Sequence, residues 1–105
     1  MKANYLISGV WSKAAAKEAS KLCQVNIVED SESVSYARVN SDSWNVSADA
    51  DFFHYIDNET GDGMEIFELP FDKIPASQPI VCDMSSSLLT KPIDWGHMGV
   101  VYAGA

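Results

Sequence analysis

The sequence predicts an α/β fold built on a mainly parallel sheet, and three observations carry that expectation. A strand, a helix and a second strand follow one another between Asn4 and Val28, the pattern of a βαβ unit with a right-handed crossover. Two later stretches, Phe52-Phe53-His54-Tyr55-Ile56 and Ile80-Val81-Cys82-Asp83-Met84, are nearly unbroken apolar runs. Such runs belong to strands covered on both faces. Strands then alternate with helix and loop along the rest of the chain.

Each element has a local reason. Asn4-Tyr5-Leu6-Ile7-Ser8 reads as a short buried strand stopped by Gly9. Ser12 can cap a helix, and Lys13 to Cys23 is rich in alanine and lysine, both strong helix formers. Lys13, Lys17 and Lys21 form one solvated stripe, and Ala15, Ala19 and Leu22 fall on the opposite side. Val25 to Val28 is the second strand. Glu29 to Ala50 is the most polar stretch and is expected to be a surface loop pinned by Tyr36 and Trp44. Asn58-Glu59-Thr60-Gly61-Asp62-Gly63 is turn chemistry, and Met64 to Leu69 alternates like a strand near an edge. Pro70, Pro75 and Pro79 break the connection to the strand Ile80–Met84. Gly99 to Ala103 is the last strand. No element is left over to cover the second face of the sheet, so the fold reads as incomplete.

A chain of 105 residues makes one domain at most, and 47% apolar with 10% aromatic residues can form a core. The net charge of −8 argues against nucleic acid or an acidic membrane as partner, since either needs a basic footprint. No apolar run approaches the roughly 18 residues of a membrane span, and Tyr5-Leu6-Ile7 is too short for a signal-peptide core. Cys23 and Cys82 are far apart with no second pair, which argues against a disulfide framework or zinc motif. Both are expected to be small buried hydrophobes in a reducing, cytoplasmic compartment.

Three residues could carry chemistry. Asp83 lies at the carboxyl end of an apolar strand, where open α/β sheets bind ligands. Its plainer reading is a cap on the Ser85-Ser86-Ser87 turn or a following helix. Trp11 follows the first strand at the equivalent edge and could stack on a planar ligand, or pack under the helix. Thr60 could hydrogen-bond a ligand from its turn, or serve the turn alone. His54 and His97 are not at metal spacing and read as structural histidines. Phosphate-loop, dinucleotide and nucleophile-elbow motifs are absent. The residues by themselves lead to an α/β piece with a planar-ligand site.

Taken in order, several segments resemble the phosphoserine aminotransferase family, class-V aminotransferases of the aspartate-aminotransferase fold that use pyridoxal 5′-phosphate. They are Ala3-Asn4-Tyr5, Gly9-Val10-Trp11-Ser12, His54-Tyr55, Asn58-Glu59-Thr60 with Gly63, Asp83-Met84-Ser85-Ser86, Pro92-Ile93-Asp94 and Gly99 to Ala105. The resemblance implies that residues 1–105 are part of the mainly parallel sheet of a fold-type-I large, cofactor-binding domain, with no complete second domain. Trp11 then matches the tryptophan that stacks on the pyridine ring. Thr60 matches a threonine that hydrogen-bonds the cofactor, and Asp83 the aspartate that pairs with the ring nitrogen. The implied reaction transfers the amino group of glutamate to phosphohydroxypyruvate, giving 2-oxoglutarate and phosphoserine for serine biosynthesis, in a cytoplasmic homodimer.

The family's Schiff-base lysine would fall two residues beyond Ala105, so no catalytic residue is assigned here and the 105 residues alone are expected to be inactive. Lys91 corresponds instead to a basic residue before Pro92. The phosphate-holding glycine segment would precede Met1. The alternative reading is a non-catalytic α/β binding module that keeps a degenerate pyridoxal-phosphate site.

Overall fold

The computed structural model describes residues 1–66 and 68–104. Its elements are β1 (Lys2–Ile7), α1 (Val10–Ala19), β2 (Gln24–Asp30), β3 (Phe52–Ile56), β4 (Asn58–Glu59), β5 (Met64–Glu65), β6 (Ile80–Asp83) and β7 (Val100–Tyr102). Among the described residues, five strands form one sheet in the order β2-β1-β3-β6-β7. Every pairing in it is parallel. The sheet is therefore wholly parallel, and the small antiparallel β4–β5 hairpin stands apart from it.

Strand alternation divides the side chains between two faces. Ala3, Tyr5 and Ile7 of β1 pack with Ala16 of α1 and with Tyr36. Leu6, Phe53, Tyr55, Ile80 and Cys82 point the other way, into the larger cluster. Expectation and structure part company on that second face. Among the described residues no α-helix covers it, yet it is buried, because the connecting segments fold over it. Val39, Trp44, Val46, Phe71, Ile93 and Met98 supply the cover. Trp44 pins its loop as expected: its ring lies 5.5 Å from that of Phe53, and its indole N–H donates to Glu29 Oε1 at 3.0 Å.

A second pin was not anticipated. Asn4 is fully buried on this face. Its Nδ2 donates to Ser47 O and Gln78 Oε1, both at 2.9 Å, while its Oδ1 accepts from Asn26 Nδ2 at 2.8 Å and from Ser47 N at 3.0 Å. A buried amide this well satisfied holds three segments together without an unpaired polar atom.

Other boundaries moved for identifiable reasons. Helix α1 begins at Val10, not Lys13, and its N-cap is Gly9. Ser12 sits inside the first turn, where its hydroxyl accepts the N–H groups of Ser8 at 2.9 Å and Gly9 at 3.1 Å. The helix ends at Ala19, so Leu22 falls beyond it and is 90% exposed, not packed. Strand β2 runs on through Glu29 and Asp30, since its partner β1 continues alongside it. The expected strand Met64–Leu69 is reduced to Met64–Glu65; Phe67 and Ala105 lie outside the described residues. Ser85-Ser86-Ser87 forms turns without a helix. Cys82 is buried, whereas Cys23 is half-buried, and both are free thiols.

His54 shows what burial does to a titratable group. It is 4% exposed and stacks on Tyr5 at 4.6 Å, with Nε2 2.9 Å from the Tyr102 hydroxyl. Burial pushes its pKa down from 6.5 to about 4, partly offset by the negative charge of Asp83. The unfolded chain takes up this proton near pH 6.5, and the folded chain only near 4. The folded state is therefore at full strength above 6.5 and loses stability as pH falls through that window, by about 3 kcal/mol for this group. Denaturant titrations at pH 7 and pH 4.5 are expected to show a markedly smaller acid-induced loss in His54→Phe than in the wild-type chain. Equal losses would assign the acid sensitivity elsewhere.

Candidate functional site

A parallel sheet brings the carboxyl ends of its strands to one edge, and there the three residues singled out from sequence meet. Trp11 follows β1, Thr60 follows β3 through the β4–β5 hairpin, and Asp83 ends β6. Together with Ile56, Ser85 and Ser86 they line one cavity of about 280 Å³. The indole of Trp11 is 62% exposed, so it is not packed beneath the helix and its ring is open to the cavity. Thr60 is also exposed.

Asp83 has both of its anticipated faces. Its Oδ1 accepts the N–H of Ser85 at 2.9 Å and the Ser85 hydroxyl at 2.5 Å, which is the capping arrangement. Its Oδ2 makes no hydrogen bond among the described residues. One oxygen thus orients the carboxylate, and the other has capacity left for a ligand. Ser85 is itself held by the N–H of Gly104, which donates to Ser85 Oγ at 3.0 Å. Ser86 donates to Asn58 O at 2.9 Å, joining the turn after β6 to the hairpin that bears Thr60. The cap of Asp83 on this turn was anticipated from sequence, whereas the tie from Ser86 to the hairpin was not. Adjacency to Asp83 is the signal for the cap, since a neighbouring hydroxyl and N–H commonly orient a carboxylate.

Behind Asp83 lies a second polar pair. Tyr102 is the register partner of Asp83, and His54 meets the Tyr102 hydroxyl. Burial, with the charge of Asp83 nearby, pushes the Tyr102 hydroxyl up to about 12. Both groups are therefore neutral at pH 7, and neither cancels the negative charge of Asp83.

Lys91 does not belong to this cavity. Its Nζ lies 2.9 Å from Asp57 Oδ2 and 3.0 Å from Glu65 Oε2, and donates to Ile66 O at 2.9 Å. It lines a separate space with Tyr55, Phe71 and Ile93. His97 pairs with Asp94 at 2.7 Å and stacks on Phe71, also away from the site. Among the described residues no cluster of three metal-ligating side chains occurs, and no helix is long and apolar enough to cross a membrane.

The donor set fits a pyridine ring bearing a protonated nitrogen. Such a ring needs a flat apolar surface for its face, an anionic acceptor for its N–H, and a hydroxyl for a polar substituent. Trp11, Asp83 Oδ2 and Thr60 have those chemistries and share one cavity.

Comparison with known proteins bears on the family of the chain. The chain is 42% identical to the phosphoserine aminotransferase of Acinetobacter baumannii over 106 aligned positions, covering 99% of this chain and 28% of that protein. It is 38% identical to the phosphoserine aminotransferase of Hahella chejuensis, covering 98% and 28%. It superposes on the structure of phosphoserine aminotransferase from Bacillus circulans with a TM-score of 0.91 at 32% identity, covering 100% of this chain and 28% of that one. For the phosphoserine aminotransferase of Trichomonas vaginalis with pyridoxal phosphate bound, the TM-score is 0.84 at 34% identity, covering 99% and 31%. No protein-family model matches.

Fold and likeness first define the class: this is part of the mainly parallel sheet of a pyridoxal-phosphate aminotransferase large domain. Within that class the chain is a phosphoserine aminotransferase portion, and it spans about 28% of the length of the curated relatives it matches.

The Lys91 cluster has a measurable consequence. Asp57 is 2% exposed, so removing its cation leaves a buried carboxylate uncompensated. Lys91→Ala is expected to destabilise the chain by about 3–5 kcal/mol. Lys91→Arg should recover most of that loss. A thermal midpoint unchanged in Lys91→Ala would show that the ion cluster is not structural.

Proposed function

We propose that this chain carries the pyridine-ring half of the pyridoxal 5′-phosphate site of a phosphoserine aminotransferase. Trp11 stacks on the ring, Thr60 hydrogen-bonds a polar ring substituent, and Asp83 holds the ring nitrogen protonated. The observation that carries this reading is the convergence of these three side chains, from separate stretches of sequence, on one cavity at the carboxyl edge of the sheet.

The bound cofactor supplies an electron sink for the charge that develops at the substrate Cα. The residues of this chain set the conditions for it. Asp83 would set its carboxylate against the ring nitrogen from the cavity wall. A nearby opposite charge favours the protonated nitrogen, and proton loss there would weaken the sink. Ser85 keeps the carboxylate turned, because it occupies Oδ1 with two hydrogen bonds. The indole fixes the ring plane, which is what lets a substrate bond align with the ring's π-system. Residues 1–105 as a large-domain segment, glutamate and phosphohydroxypyruvate as substrates, a homodimeric assembly and a cytoplasmic location all follow from the same likeness.

Pyridoxamine 5′-phosphate cannot form an imine with lysine and is the suitable probe. Titrated against the 105-residue chain, it is expected to quench tryptophan fluorescence. Trp11→Phe should remove most of that quenching. Asp83→Ala should weaken binding about tenfold to a hundredfold, the worth of one charge-assisted hydrogen bond. Quenching that survives Trp11→Phe, or unchanged affinity in Asp83→Ala, refutes the assigned roles. The substrate assignment has its own check. Endogenous protein captured with an antibody to this segment should convert glutamate and phosphohydroxypyruvate to phosphoserine; captured, cofactor-loaded protein without that turnover overturns it.

A further inference from the structure

Helix α1 has an unusual cap. Its N-cap is a glycine, which offers no side-chain acceptor, yet the N–H groups of its first turn are all engaged. The acceptors come from the β4–β5 hairpin, far away in sequence. Glu59 Oε2 accepts the Trp11 N–H at 3.1 Å and Glu59 Oε1 accepts the Ser12 N–H at 2.8 Å. Asp62 Oδ2 accepts the Val10 N–H at 2.9 Å. The Glu59 side chain is fully buried under the helix. Gly9 leaves the room it needs: a Cβ at Gly9 would lie 2.4 Å from Glu59 Cδ and Oε2.

We propose that Glu59 is a positioning residue for the cofactor ring, acting through Trp11 and Thr60. The assignment rests on the ring-site reading given above. Two features distinguish it from an ordinary helix cap. First, Glu59 binds the backbone of Trp11 itself, and it is covalently next to Thr60. One carboxylate therefore sets the distance between the stacking residue and the hydrogen-bonding residue. Second, the Trp11 side chain is 62% exposed, so packing does little to orient the indole. Its placement over the cavity depends on where the backbone puts its Cα, and that is what Glu59 holds. Charge-assisted bonds to buried N–H groups are short and directional, which suits them to this task. The helix N-terminus adds a favourable field for the anion.

The test uses the 105-residue chain with pyridoxamine 5′-phosphate as probe. Glu59→Gln keeps the size of the side chain but turns an NH₂ toward one of the two N–H groups. Gly9→Ala leaves the carboxylate intact and displaces it by contact. Amide exchange is read at Trp11 and Ser12, together with probe affinity and the induced circular dichroism of the probe at saturation. In both variants the Trp11 and Ser12 amides are expected to exchange faster, and probe affinity to fall about tenfold. The induced dichroism per bound probe should also change, since the ring plane is no longer fixed. That last signal would not move if Glu59 merely stabilised the helix. If Glu59→Gln does not fold, Gly9→Ala carries the same readouts. Faster exchange with unaltered affinity and dichroism overturns the positioning role while leaving the ring site intact. A wild-type chain that does not bind the probe overturns the ring-site reading, and the positioning role with it.

Discussion

The carboxylate of Glu59, buried against the backbone at the start of α1, is the constraint on which the arrangement of the site depends. Taking a carboxylate out of water costs several kcal/mol unless strong partners replace the lost hydration. Here the partners are two main-chain N–H groups that have no acceptor within the helix. Each side solves the other's problem. The helix gains a cap that its own sequence does not provide, and the hairpin gains an anchor on the sheet edge. The glycine before the helix is required by the same contact, since its missing side chain is the space the carboxylate fills.

From that anchor the site assembles in a chain of local dependencies. The hairpin is fixed to α1 by Glu59 and Asp62, and to the turn after β6 by the Ser86 hydroxyl on Asn58. That turn is shaped by Ser85 on Asp83, and Ser85 in turn receives the Gly104 N–H beyond β7. Four segments of the chain are thus joined around one cavity by hydrogen bonds to short polar side chains. On the far side of the hairpin, Lys91 draws Asp57 and Glu65 together. The hairpin is thus held from two directions through its own carboxylates, Glu59 and Asp62 on the helix N–H groups and Glu65 on the Lys91 ammonium.

Much of this was legible in the sequence, for reasons that can be stated. Phe52–Ile56 forms the strand its unbroken apolar run implies, because a central parallel strand is buried on both faces. Asp83 stood out because the carboxyl end of an apolar strand in an open α/β sheet is where such folds bind ligands. The start of α1 was not legible. Ser12 has the right chemistry for an N-cap, but a distant carboxylate took that role and left Ser12 to bond backward to Ser8 and Gly9. The cover of the second face was hidden for a related reason. Val39, Trp44, Val46, Phe71 and Met98 are scattered through polar segments with no period, and they form a layer only once the sheet assembles beneath them.

By itself the sequence determined the α/β class and the parallel strands, and singled out Trp11, Thr60 and Asp83 as residues that could meet a planar ligand. Those properties are local: apolar runs, turn residues and the chemistry of single side chains are written into short windows. Tertiary structure alone decided that Trp11, Thr60 and Asp83 share one cavity. It also decided that Ser85 occupies one oxygen of Asp83 and leaves the other open, and that Glu59 ties the helix to the hairpin. Each of these depends on contacts between residues remote in sequence. Parallel pairing sets such contacts by bringing successive strand ends to the same edge, and no short window records which residues will meet there.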